Sequence, residues 1–153
     1  MISFHKSLGL FFGLSLFLFY AATTKVFAGP YENEVVRSVL LRVEQIALRF
    51  PDLDSLGRNT LGQAVVILDL KEEAVPELLK ACSDPKKNWK TRYWAVDLLG
   101  YVGNSGALSA LTGIVKNKNE IKTIRLQALG AIREIAKRSK SNPGLSSALA
   151  ASR

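Results

Sequence analysis

Histidine occurs once in the 153 residues, at position 5, and methionine once, at position 1. Cysteine also occurs once, at Cys82. These scarcities exclude a good deal. Both His5 and Met1 fall in an N-terminal stretch that reads as a targeting segment. There Lys6 supplies a positive start, Leu8–Ala22 is an uncharged apolar run, and Val26-Phe27-Ala28 places small residues before a cleavage point ahead of Gly29. The apolar run covers only residues 8–22, short of the roughly 20 residues that span a bilayer, so a retained anchor is the weaker alternative. Once residues 1–28 are removed as a signal peptide, no imidazole is left for general-base chemistry, a Ser-His-Asp hydrolase or a histidine-ligated zinc. A lone cysteine cannot form an intramolecular disulfide, although an exported protein would meet an oxidising compartment. The expected location is periplasmic or secreted, with cleavage near Ala28.

What the chain does contain is one unit written twice. Residues 74–106 and 107–139 align without a gap at a 33-residue period, with Ala74 over Ala107, Leu78 over Leu111, Arg92 over Arg125, Ala95 over Ala128 and Val102 over Ile135. A period of about 20–50 residues marks a stacked repeat array. Each copy holds two helical patterns. In the first copy Ala74, Val75, Leu78, Leu79 and Cys82 recur at helical spacing, and Pro76 sits in the first turn, where its missing N–H costs nothing. Ser83-Asp84-Pro85 then stops that helix. A second helix follows over about Trp89–Val102, and Gly103-Asn104-Ser105-Gly106 closes the unit with residues suited to positive φ. In the second copy Asn117-Lys118-Asn119 serves as the inner turn.

The run Val75-Pro-x-Leu-Leu, Asp84-Pro and Arg92-x-x-Ala95-x-x-x-Leu99-Gly100-x-Val102-Gly103 resembles the HEAT-type repeat, in the form found in bilin-lyase-like proteins. The second copy keeps Arg125, Ala128, Ile132 and Ile135. It departs at Asn117, Arg133 and Ala136, where the pattern has an aspartate and two glycines. The resemblance implies an all-α fold: a short right-handed α-solenoid of about three antiparallel helix pairs. It also implies a charge ladder between neighbouring units, with Asp84 facing Arg92 or Arg125.

Ahead of the repeats, residues 32–50 form an amphipathic helical pattern through Val35, Val36, Val39, Leu40, Val43, Ile46, Ala47 and Phe50. A second pattern covers about 58–70, weakened at its start by Gly57 and Gly62. Together residues 32–70 read as a degenerate first unit capping the stack. After Ala136 the periodicity decays, so residues 140–153 read as a flexible tail.

Charge is unevenly placed. Residues 29–85 carry six basic and ten acidic side chains, whereas residues 86–140 carry twelve basic and three acidic. The period places Lys86, Lys87 and Lys90 beside Lys116 and Lys118 on one basic edge. Such an edge suits an acidic protein, an anionic membrane surface or a nucleic acid, or it is simply a solvated face. Trp89, Tyr93, Trp94 and Tyr101 crowd onto the second helix of the first copy. Trp94 aligns with Gln127 and Trp89 with Lys122, and these polar counterparts point both indoles away from the core. Trp89, Arg92, Trp94, Tyr101 and Lys122 then form a candidate partner-binding surface. The alternative is that the rings pack on the first unit. Cys82 aligns with Val115 and reads as a buried thiol. Asp97, the acid among the aromatics, has no acidic or histidine partner nearby in sequence. The sequence therefore names no catalytic, cofactor or metal residues. The leading expectation is an exported protein-interaction module, the next a polyanion or membrane-surface binder, and the last an enzyme by analogy with bilin lyases.

Overall fold

The computed structural model describes residues 32–141, and every regular element among them is helical. The segment expected as a signal peptide and most of the expected tail lie outside these residues. Helix α1 covers residues 32–49. It is followed by α2 (Leu53–Asn59), α3 (Leu61–Leu70), a 3₁₀ turn (Lys71–Ala74), α4 (Val75–Ser83), α5 (Trp89–Val102), α6 (Ala107–Lys116) and α7 (Lys122–Ser141). No described helix is long and apolar enough to cross a membrane.

The first unit departs from expectation. The helix expected over about 58–70 is α3, and an additional helix, α2, precedes it where a turn was expected. Asp52 starts α2 early, its carboxylate accepting from the Ser55 N–H at 2.7 Å and from the Ser55 hydroxyl at 2.9 Å. Thr60 then interrupts the run at φ −113°, ψ 10°. Its hydroxyl donates back to the Leu56 carbonyl at 2.9 Å, the local competition that makes threonine a poor helix interior.

The two copies, by contrast, adopt one local geometry. Asp84 ends α4 at φ −82°, ψ 108°, and Asn117 ends α6 at φ −70°, ψ 103°. Asp84 Oδ1 accepts from the Lys86 N–H at 2.9 Å, and Asn117 Oδ1 accepts from the Asn119 N–H at 3.0 Å. The following backbone bonds match as well: Lys87 N–H to the Asp84 carbonyl at 3.2 Å, Glu120 N–H to the Asn117 carbonyl at 3.1 Å. Aspartate and asparagine both offer a side-chain oxygen two residues back, so the turn tolerates the change. The paired core positions Ala74 and Ala107, Leu78 and Leu111, and Ala95 and Ala128 are all fully buried.

Packing follows from these units. Helix α4 lies on α5 and α6 lies on α7; α5 also packs along α7 and against α3. Helices α5 and α7 come close at Gly100, where a Cβ would sit 3.3 Å from Ala131 Cα. Gly103 and Gly106 do not use positive φ as the sequence suggested, since no described glycine does. Gly103 is needed for space: a Cβ there would collide with the Leu99 carbonyl oxygen and lie 2.9 Å from Ile135 Cδ1.

Helix α7 also runs five residues past Ala136. Arg138, which looks from the sequence like part of a basic tail, donates to the Gly100 carbonyl at 2.5 Å and the Gly103 carbonyl at 2.7 Å. It thereby satisfies carbonyls left free at the end of α5.

Gly130 separates backbone propensity from packing, because a Cβ at that position meets nothing within 4 Å. Gly130→Ala is expected to raise stability by about 0.5–1 kcal/mol. Gly100→Ala, pressed against Ala131, should lower it. Urea denaturation of the two variants checks both signs.

Candidate interaction surface

The surface expected on α5 is only partly a surface. Trp94 is 6% exposed, and its indole N–H donates to the Thr60 hydroxyl at 3.0 Å. It does not point away from the core; it fills the space between α5 and the first unit. Gln127, at the matching position of α7, also faces the unit before it, but meets the polar Tyr93 and Asp97 of α5 there, so its polarity is no guide to Trp94. Trp89 is half-buried and partly packed on the core, while Tyr101 is 62% exposed. Lys122 is exposed at the start of α7.

Arg92 is not free either. Its guanidinium lies 2.6 Å from Glu120, with the two side chains 13% and 9% exposed. This is a charge rung between the units, but its acid is Glu120 rather than Asp84. Asp84 is committed to its own turn, and no ion pair reaches it among the described residues. Arg125 likewise lacks an ion pair among those residues, and its Nε is buried without a hydrogen bond.

The basic edge loses one member. Lys90 is 7% exposed, and its ammonium donates to the Phe50 carbonyl at the end of α1. A lysine in the first turn of α5 opposes that helix's own dipole, and the carbonyl end of α1 offsets it. The neighbouring Asn88 N–H donates to Glu44 of α1 at 2.8 Å. Lys86, Lys116 and Lys118 are exposed, and Lys87 is half-buried.

Three side chains that sequence reasoning did not join meet between α5 and α7. The Tyr93 hydroxyl donates to Gln127 Oε1 at 3.1 Å, and Gln127 Nε2 donates to Asp97 Oδ1 at 2.6 Å. Asp97 and Tyr93 are one helical turn apart and Gln127 lies 30 residues beyond Asp97, which no local spacing rule would pair. Burial pushes the Asp97 carboxyl above its usual range. The fold therefore favours the protonated form. Its contribution is fully present below the unfolded carboxyl range near pH 4 and is lost as pH rises through the folded value. Asp97→Asn should accordingly stabilise the protein at pH 7 and make little difference near pH 3. Denaturation midpoints at the two pH values check this; equal shifts at both would contradict it.

Burial also raises the Cys82 thiol, as expected for an inert side chain. No cluster of three or more metal-ligating side chains occurs among the described residues. Comparison with protein-family models, with curated proteins and with solved structures finds no match for this chain.

Proposed function

We propose that the protein is an exported, HEAT-like α-solenoid that acts as a protein-interaction module, using the surface of its second helices, α5 and α7. The observation that carries this reading is the repeated turn geometry at Asp84 and Asn117, together with the hydrogen bonds between α5 and α7 and the ion pair from α5 to the turn before α7. Those ties set the two second helices side by side. They leave Tyr101 62% and Leu126 58% exposed on them, with Lys122 at one end. Exposed large apolar and aromatic side chains, and cations, are what protein hot spots use.

The test is capture of a partner by crosslinking from the envelope fraction. Tyr101→Ala combined with Lys122→Ala should reduce capture about tenfold while far-UV circular dichroism stays unchanged. Capture that survives both changes would place the surface elsewhere. Trp94 is no probe of binding, because it belongs to the core.

A second reading is favoured by Lys86, Lys116 and Lys118, exposed on equivalent turns. A polyanion bound there would dissociate steeply with rising salt. Affinity that stays flat from low to physiological ionic strength would remove this reading.

A further inference from the structure

The first copy shows what covers the outer face of a second helix. Along α5, Arg92 meets Glu120 at 2.6 Å, Tyr93 and Asp97 meet Gln127, and Gly100 meets Ala131. The 33-residue offset puts Arg125, Leu126, Gly130 and Arg133 at the same points of α7. None of these is covered in the same way by a described residue. Arg125 has no carboxylate partner among the described residues, although its Nε is buried without a hydrogen bond just as that of Arg92 is. Leu126 is 58% exposed, and a Cβ at Gly130 would meet nothing within 4 Å. Leu129 is half-buried where its counterpart Val96 is fully buried. Arg133 is exposed and forms no ion pair among the described residues.

We infer that this face of α7 docks an acidic amphipathic helix of a partner protein. The partner's apolar stripe would lie over Leu126, Leu129 and Gly130, and its carboxylates on Arg125 and Arg133. The proposal rests on the reading that the second helices carry the interaction, and it names the helix face and the partner's chemistry. The two arginines are eight residues apart, about 12 Å along the axis, which two acids two turns apart on a ligand helix would span. Charge agrees: α7 carries six basic residues and one acid, Glu134, which is tied to Lys137 at 2.7 Å.

Other occupants fit less well. A further copy of the same unit would need the close crossing that Gly100 allows, and α7 has Arg133 there. Residues 142–153 of this chain contain no aspartate or glutamate to meet the arginines. A phosphate backbone would use the arginines but gain nothing from the leucines between them. A helix laid into an apolar groove uses both.

The test is an NMR titration of the ¹⁵N-labelled protein with a synthetic 18-residue helical peptide of Leu, Ala and Glu, the leucines at helical spacing. The control peptide has Lys in place of every Glu. The Glu peptide should shift the Leu126, Leu129 and Gly130 resonances. Its affinity should fall about tenfold or more in Arg133→Glu and in Leu126→Asp, both exposed positions whose variants keep their helicity. The Lys peptide should bind at least tenfold more weakly.

Equal binding of the two peptides, unchanged affinity in Arg133→Glu, or shifts confined to α5 would overturn the proposal. So would displacement of the Glu peptide by a DNA duplex or by phosphatidylglycerol vesicles at matched charge. A tenfold gain in affinity on deleting residues 142–153 would show that the chain covers this face itself, and would also overturn it. If the peptide fails while Tyr101-dependent capture persists, only this inference falls and the broader reading stands.

Discussion

Trp94→Ala is expected to lower unfolding free energy by about 3–5 kcal/mol, the usual loss when a buried indole is truncated. The side chain is 6% exposed, so nearly all of its area would be withdrawn from the core. Its N–H also reaches Thr60, whose hydroxyl at the same time donates to the Leu56 carbonyl. The indole thus ties α5 to the junction where α2 gives way to α3. Trp94→Phe keeps most of the apolar volume and removes the hydrogen bond, so it should cost less, about 1–3 kcal/mol. Against a total stability of about 5–15 kcal/mol for a domain of this size, the alanine variant would be visibly weakened at ambient temperature. Urea denaturation followed by circular dichroism measures both. A loss under about 1 kcal/mol for Trp94→Ala would return the side chain to the surface.

Glu120→Ala should be the most damaging change to a charged residue. It would strand the Arg92 guanidinium, 13% exposed, with its Nε already lacking a partner. Removing one member of a fully buried pair costs about 3–5 kcal/mol; the residual exposure of Arg92 reduces this to about 2–4 kcal/mol. Arg125→Ala removes no ion pair among the described residues and should cost markedly less. Replacing both Arg92 and Glu120 by apolar residues of similar volume should recover much of the loss, because no unpaired charge then remains. A double-mutant cycle on Arg92 and Glu120 isolates the pairwise part. Coupling near zero, or a Glu120→Ala loss below about 0.5 kcal/mol, would mean that the pair behaves as an exposed one.

Much of the helical plan is legible in the sequence because the code repeats. Ala95 and Ala128, or Leu78 and Leu111, occupy matching points of the period and are buried alike. The inner turns were readable for the same reason, since Asp84 and Asn117 provide the same oxygen. What escaped sequence reasoning depends on neighbours that differ between the copies. Trp94 and Gln127 each face the unit before their own, but Gln127 meets Tyr93 and Asp97 there and Trp94 meets Thr60, so the polarity of Gln127 points the indole to the wrong side. Of the two readings open for the tryptophans, packing on the first unit describes Trp94. The rung on Arg92 comes from Glu120, 28 residues away, and a periodic pattern contains no signal for it. Lys90 and Arg138 look like surface cations because they are charged, yet each ends on the carbonyls of another helix. The break at Thr60 is a side chain competing for a backbone carbonyl, and hydrophobic spacing is blind to that.

The central claim is that the two copies lie side by side, with α5 against α7 at Gly100 and Ala131. The most direct measurement is disulfide trapping of Gly100→Cys with Ala131→Cys in a Cys82→Ser background. A Cβ at Gly100 lies 3.5 Å from Ala131 Cβ, at the short end of the range that a disulfide bridges. The account predicts that the folded protein forms this bond within one chain on mild oxidation and keeps its helical circular dichroism. Two thiols that stay free in the folded protein, or that link only after denaturation, would contradict it.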